Sequence, residues 1–337
     1  NLEKEPTANH QGTDNCTFDA FWMKALVIKS TGKWYRVLEE SSGKEFDARV
    51  RGKLKLKGFR STNPIAVGDY VDLEKKDEDF LITKIHPRKN FLLRKSTNLS
   101  KRSHVIASNI DQVLVICSLV QPETSFTFID RILATATAFD IPAIVVLNKT
   151  DLIDQDSDEA IDAFTEFCEA YESAGYQIIL CSAKTSQGLQ KLKDIVKGKV
   201  SLLAGHSGVG KSSLVNLIEP GLNLKTSEIS DYHQTGKHTT TFAEMIKLKM
   251  KGFLIDTPGI RGFGIIDIDK KSLSHFFPEM EKRLPECKFN NCQHINEPNC
   301  AVIEAVEKAE IAYSRYRSYL TILESDDDEI HRGKDHS

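Results

Sequence analysis

Gly205-His206-Ser207-Gly208-Val209-Gly210-Lys211-Ser212, with Ser213 after it, has the G-x-x-x-x-G-K-S spacing of a phosphate-binding loop. Its glycines let successive backbone N–H groups turn toward phosphate oxygens, and a helix starting at Lys211 adds the positive end of its dipole. Lys211 is suited to neutralising the outer phosphates, and the Ser212 hydroxyl to ligating Mg²⁺. Asn148-Lys149-Thr150-Asp151 carries a different chemistry. A carboxylate at Asp151 can accept from both the ring N–H and the exocyclic amine of guanine. Adenine would set a ring acceptor against that buried charge. Ser182-Ala183-Lys184 fits the companion loop that touches the base.

The remaining nucleotide chemistry falls further along. In Asp256-Thr257-Pro258-Gly259, Asp256 is suited to holding Mg²⁺ through a water and the Gly259 N–H to meeting a γ-phosphate. In Gly236-Lys237-His238-Thr239-Thr240-Thr241, Thr240 and Thr241 compete to complete the Mg²⁺ shell. A Ras-like site orients its attacking water with a Gln directly after the D-x-x-G glycine. That position is Ile260, which has no hydrogen-bonding group, so unassisted hydrolysis is expected to be slow. His238 is the nearest in-chain group that could orient water, joining Lys211, Thr240 and Thr241 as catalytic candidates. Asp256–Gly259 also runs on toward the C-terminal segment, so a shift of this switch could reorient that segment directly.

Cys287, Cys292, His294 and Cys300 lie within 14 residues, as three thiolates and one imidazole suited to a closed tetrahedral Zn²⁺ site. Four protein ligands leave no open position, so the ion is expected to be structural. Arg49, Arg51, Lys53, Lys55 and Lys57 alternate with Val50, Gly52, Leu54 and Leu56. A period of two puts all five cations on one strand face, a surface suited to tracking the phosphates of RNA.

These residues need elements to position them. The chain has 337 residues, enough for two or three domains, and 40% apolar with 28% charged residues is an ordinary globular balance. Residues 23–90 carry 16 Lys/Arg against 10 Asp/Glu, and 91–104 add four bases with no acid. Residues 105–265 (14 against 19) and 266–337 (10 against 15) are both acidic, so only part of the surface suits a polyanion. No apolar run approaches about 18 residues, and the expectation is a soluble cytoplasmic protein with no membrane partner.

Residues 1–22 lack periodicity and are expected to be a disordered leader. Short alternating stretches at 24–29, 34–38, 46–56, 70–73 and 80–85, divided by turn residues, predict a five-stranded OB-fold barrel over 23–90. A basic linker is expected over 91–110. Strands at 112–119, 143–147, 177–181, 200–204, 243–248 and 252–255 alternate with helical patterns at 128–139, 159–174, 189–196 and 211–218. That rhythm predicts an α/β domain over 111–265 with a mainly parallel sheet. Helical signal at 271–277 and 301–323 flanks the cysteine cluster, giving a helical zinc-binding domain over 266–323 and a disordered acidic tail over 324–337.

Motif order is informative. A Ras-like GTPase places its phosphate loop first and N-K-x-D and S-A-K last, whereas here Asn148 and Ser182 precede Gly205. The α/β domain therefore reads as a circularly permuted P-loop GTPase. With the barrel before it and C-x4-C-x-H-x5-C after it, the chain resembles the RsgA (YjeQ) family of circularly permuted GTPases of small-ribosomal-subunit biogenesis, from Met23 to about Leu323. The resemblance implies GTP binding at Asn148–Asp151 and Gly205–Ser213, and Zn²⁺ on Cys287, Cys292, His294 and Cys300. It also implies hydrolysis to GDP stimulated by the small subunit and its rRNA; the protein is expected to be a monomer. A GTP-regulated RNA-binding module without catalysis is the rival reading. A P-loop ATPase or kinase is disfavoured by N-K-T-D.

Overall fold

The computed structural model describes residues 22–32, 34–51, 65–95, 103–222, 224, 243–256 and 269–325. Strands β1 (Trp22–Ser30), β2 (Tyr35–Glu39), β3 (Glu45–Val50), β4 (Tyr70–Lys76) and β5 (Asp79–Ile85) pair in the order β1-β2-β3-β5-β4, and β4 returns to β1. The sheet thus closes into the expected barrel. Alternation turns Ala25, Val27, Val37, Ala48, Val71, Leu73 and Ile82 into one interior cluster. Trp22, assigned by sequence to the leader, is the first residue of β1, where it pairs with Glu74. β3 ends at Val50, and the rest of the expected strand beyond Arg51, with Lys53, Lys55 and Lys57, lies outside the described residues.

The expected basic linker is a hairpin, β6 (Phe91–Lys95) with β7 (Ser103–Ser108). Its apolar positions explain this: Leu92 and Ala107 are buried in the main core, and the Phe91 ring sits 5.8 Å from that of Phe139. Charge count alone suggests a tether.

The α/β domain contains β8 (Gln112–Cys117), α1 (Phe126–Ala138), β9 (Ala143–Leu147), α2 (Asp158–Ser173), β10 (Gln177–Leu180), α3 (Leu189–Val196), β11 (Val200–Ala204), α4 (Lys211–Ile218), β12 (Glu244–Lys247) and β13 (Phe253–Asp256). Its strands run β10-β9-β8-β11-β13-β12, parallel except for β12. The chain builds outward through β8, β9 and β10, then crosses back to lay β11 against β8. That reversal creates the topological switch point at which open α/β sheets bind ligands. β12 joins β1 through the pair Lys29↔Glu244, which makes barrel and α/β strands one continuous sheet.

Beyond residue 268, the helical signal expected at 271–277 is a 3₁₀ helix (Lys270–Phe276). It is followed by α5 (Pro278–Glu281), α6 (Ala301–Glu307) and α7 (Tyr313–Glu324). The single helix expected over 301–323 is broken in two. Ala309 takes a left-handed backbone (φ 58°), and the amides of Glu310 and Ile311 fold back to the Ala305 carbonyl. The break lets Ile311, Tyr316, Tyr319 and Ile322 join Leu273, Phe277 and Met280 in a separate small core. Glu324, placed by sequence in the tail, is the last residue of α7.

Candidate functional site

The loops after β9, β10 and β11 emerge together at the carboxyl edge of the sheet, the side on which β13 ends at Asp256. The phosphate loop leaves β11 through Gly205, at φ 150°, where a Cβ would sit 2.2 Å from the Ile116 carbonyl. Gly210, at φ 93°, is the N-cap of α4, and a Cβ there would strike Asn148 Nδ2 at 2.3 Å. Only glycine satisfies both the dihedral and the close approach.

That approach matters because Asn148 is a brace. Its Nδ2 donates to the Val209 carbonyl (2.8 Å), its Oδ1 accepts from the Ala183 amide (3.1 Å), and its own amide donates to the Cys117 carbonyl (2.9 Å). One buried side chain therefore joins the phosphate loop, the N-K-T-D loop and the S-A-K loop. Thr150 adds a second tie, its hydroxyl donating to the Cys181 carbonyl at 3.0 Å.

Asp151 lies in a 3₁₀ turn (Thr150–Leu152) with its side chain 12% exposed. Its Oδ1 accepts from the Ser182 hydroxyl at 2.5 Å, and that hydroxyl accepts from the Thr185 amide at 3.0 Å. Lys184 Nζ stands 4.0 Å from Oδ2. The carboxylate is thereby fixed in orientation while keeping acceptor capacity for a base. Lys149 has a left-handed backbone (φ 63°), and its ammonium donates to the Gln121 carbonyl. Lys211 Nζ donates to the carbonyls of Gly205 (2.7 Å) and His206 (2.5 Å), which folds the lysine over its own loop. Ser212 is buried at the start of α4.

Two supports are not evident in the sequence. The His206 ring stacks on Phe128 of α1 with centroids 3.5 Å apart. Pro122, in the loop before α1, comes within 3.3 Å of a Cβ built on Gly208. The β8–α1 connection therefore walls the phosphate loop, and only the helical pattern around Phe128 hints at it. His238, Thr240, Thr241 and Gly259 lie outside the described residues. Of the five alternating cations, Arg49 pairs with Asp79 and Arg51 with Glu74, so both are partly neutralised.

Cys287, Cys292, His294 and Cys300 converge with their ligand atoms all within 4.8 Å of one another. His294 Nδ1 lies 3.2 Å from Cys300 Sγ and 3.7 Å from Cys287 Sγ. The two imidazole–sulfur separations are close to the edges of a tetrahedron around an ion with bonds of about 2.0–2.3 Å, and the widest separation would have to close for all four to bind. Burial pushes the Cys292 thiol up to about 12 and holds His294 neutral, so thiolates here need a cation beside them. The loop is held from behind, because Tyr316 donates to the His294 carbonyl (2.7 Å) and Tyr319 to that of Gln293 (2.8 Å).

Comparison with known proteins matches residues 85–266 to a family model described as RsgA GTPase and residues 24–80 to one described as RsgA N-terminal domain. A "Small ribosomal subunit biogenesis GTPase RsgA" of Christiangramia forsetii is 50% identical over 91% of this chain and 97% of its own length. The protein of the same name from Flavobacterium johnsoniae is 49% identical over 91% and 94%. Among solved structures, YjeQ from Thermotoga maritima aligns with a TM-score of 0.72 at 34% identity, covering 90% of this chain and 98% of that one. YloQ, described as a circularly permuted GTPase, aligns at 0.67 and 30%, covering 96% and 98%.

Proposed function

The chain belongs to the RsgA GTPase family, a circularly permuted GTPase of small-ribosomal-subunit biogenesis, and from that premise we propose how its residues divide the work. The observation that carries the reading is the Asn148 brace, which holds the base-reading Asp151 and the phosphate loop in one frame. Asp151, steadied by Ser182, reads guanine, with Lys149 and the Ser182–Lys184 loop flanking the base. Asn148 and Thr150 position those loops. Backbone amides of Gly205–Ser213 cradle the phosphates, and nucleotide draws Lys211 away from the loop carbonyls onto the outer phosphates.

Ser212, Asp256 through a water, and Thr240 or Thr241 would hold the Mg²⁺ that accompanies GTP, which would supply charge neutralisation at the outer phosphates. Gly259 contacts the γ-phosphate. With Ile260 unable to orient water, His238 takes that role when the protein docks on the small subunit. Cys287, Cys292, His294 and Cys300 hold one structural Zn²⁺, whose binding energy is also folding energy for the C-terminal unit. The barrel meets rRNA phosphates through Arg49, Arg51, Lys53, Lys55 and Lys57. The protein works as a cytoplasmic monomer on the small subunit, without a membrane; no described helix is long and apolar enough to cross one.

The test is single-turnover hydrolysis of GTP, ATP and xanthosine triphosphate with and without purified small subunits. Wild type should prefer GTP and accelerate with subunits. Asp151→Asn should shift preference to xanthosine triphosphate, whose ring carbonyl replaces the exocyclic amine. An unchanged GTP preference removes Asp151 from the role. His238→Ala should keep GTP and subunit binding but lose stimulation; full stimulation in that variant excludes His238.

A further inference from the structure

The GTPase domain is acidic, yet six of the 14 Lys/Arg in residues 105–265 are Lys193, Lys197, Lys199, Lys247, Lys249 and Lys251. All six belong to the last turn of α3 with the turn after it, or to the β12–β13 hairpin. Those two turns are locked together by backbone. Gly198 donates to the Lys251 carbonyl at 2.9 Å, and Phe253 to that of Lys199 at 2.8 Å. Gly252 makes this fit possible, since a Cβ on it would lie 2.7 Å from the Lys199 carbonyl oxygen and 2.9 Å from that of Val196.

The acids nearby among the described residues are hydrogen-bonded or ion-paired, although Asp194, bonded only to a neutral amide, keeps its charge beside Lys193 and Lys197. Asp194 accepts from Gln190, Glu244 pairs with Lys29, and Asp111 accepts from the Val200 amide and faces Lys89. Glu219 pairs with Lys249 at 3.3 Å, and Lys199 donates to Gln112 at 3.1 Å. Lys197, Lys247 and Lys251 are exposed and make no ion pair among the described residues. Lys251 also takes a left-handed backbone (φ 69°), a place that glycine or asparagine would fill at lower cost. On the barrel side, Lys247 Nζ lies 3.9 Å from a Cβ built on Gly43, where the row ends at a turn carrying Glu39, Glu40 and Glu45 with Lys44.

This face is at the amino edge of the sheet. β11 runs five residues from Val200 to Ala204 before the phosphate loop begins, so the lysines and the nucleotide are separated by roughly 15 Å. A partner could therefore cover them without closing the nucleotide site. We propose that this lysine face is a second RNA-docking surface, on the GTPase domain itself, which contacts the phosphate backbone of duplex RNA without reading sequence. The proposal rests on the reading that this chain binds the small subunit. An extended row of cations suits a regularly charged polymer, whose binding releases condensed counter-ions.

The experiment measures binding of the Lys197→Gln/Lys247→Gln/Lys251→Gln variant to a mixed-sequence RNA duplex and to small subunits across a salt series. With about 0.9 of log–log slope per lysine, the variant should lose two to three of the wild-type slope on both ligands. The corresponding Lys→Arg variant should keep it, and basal GTP hydrolysis should be unchanged in both. A wild-type slope in the Gln variant overturns the surface. Loss on subunits with none on the duplex also overturns it, in favour of an acidic protein partner. Wild-type binding that is indifferent to salt would instead sink the RNA reading as a whole.

Discussion

Two arginines are buried where the GTPase domain meets its neighbours, and they are satisfied in opposite ways. Arg88, at the barrel side, grips Asp69 with Nε and Nη2, both at 2.6 Å. Asp69 also accepts from the Ala66 amide (2.9 Å) and the Ser108 hydroxyl (2.6 Å), so one cation and one anion meet with four donors in place. Arg315, on α7, is 1% exposed and serves two carboxylates. Its Nε and Nη2 bind Glu279 at 2.7 and 3.1 Å, and its Nη1 binds Asp130 of α1. The rings of Tyr171, Tyr176 and Phe277 surround its guanidinium at 4.8–5.6 Å. Asp130 Oδ2 has no hydrogen-bond partner among the described residues.

The barrel junction is thus balanced, and the C-terminal junction sets two carboxyl groups against one guanidinium out of water, one negative charge in surplus whenever both are ionised. A balanced buried pair adds rigidity at little electrostatic cost, whereas a surplus charge makes a junction sensitive to protonation and to loss of its one cation. α1 is also the helix whose Phe128 supports the phosphate loop, so the C-terminal unit is anchored to an element that touches the nucleotide site. The sequence suggests that the switch running into this unit reorients it directly; Arg315 supplies a second connection, through α1.

The comparison can be broken by experiment. Arg315→Ala leaves two carboxylates buried without a cation and should cost about 3–5 kcal/mol in urea unfolding. A loss below about 1 kcal/mol would mean the cluster is not sealed in solution. Arg88→Ala should cost less, about 2 kcal/mol, because Asp69 keeps two neutral donors. A larger loss than for Arg315→Ala would invert the ranking of the junctions.

Protonation sharpens the contrast. Burial pushes the Asp130 carboxyl above the ordinary aspartate range, against the pull of Arg315. Between the ordinary and the raised value, the folded protein holds a proton that the unfolded chain has released. Stability should therefore fall as pH rises through that window, and Asp130→Asn should remove this part of the slope in denaturation midpoints taken from about pH 4 to 7. An identical profile in the variant would place the surplus charge elsewhere. The smallest effect belongs to Lys29–Glu244, the exposed pair across β1 and β12 at 2.9 Å, where Lys29→Ala should change stability by no more than about 0.5 kcal/mol. A larger change would show that the continuous sheet depends on that pair.

Much of the nucleotide site was legible because its residues act through local backbone. Gly205–Ser212 must leave a strand and enter a helix, and the expected spans 200–204 and 211–218 agree with β11 and α4 to the residue. The cysteine cluster was legible for a similar reason, since four ligands within 14 residues can converge without help from the rest of the chain. Less legible were residues whose partners come from elsewhere. Asn148 belongs to the expected nucleotide-binding motif, but nothing in that motif indicates that its side chain bonds Val209 and Ala183, 61 and 35 residues away. The hairpin at 91–108 was hidden because its four cations, with no acid among them, read as a tether, although seven of its residues are apolar.

Short spacing left its mark in the order of residues: a phosphate-loop motif, an N-K-T-D motif expected to read guanine, a thiolate-imidazole cluster, and the permuted order that places the second before the first. Packing of distant segments set the bonds of Asn148 to Val209 and Ala183, brought two lysine-bearing turns onto one face, and closed Arg315 on Asp130 across 185 residues of chain. The physical reason is range. Dihedral preference and alternation act over a few residues and leave a mark in the order of amino acids. The pairing of buried charges depends on packing that exists only once distant segments have met.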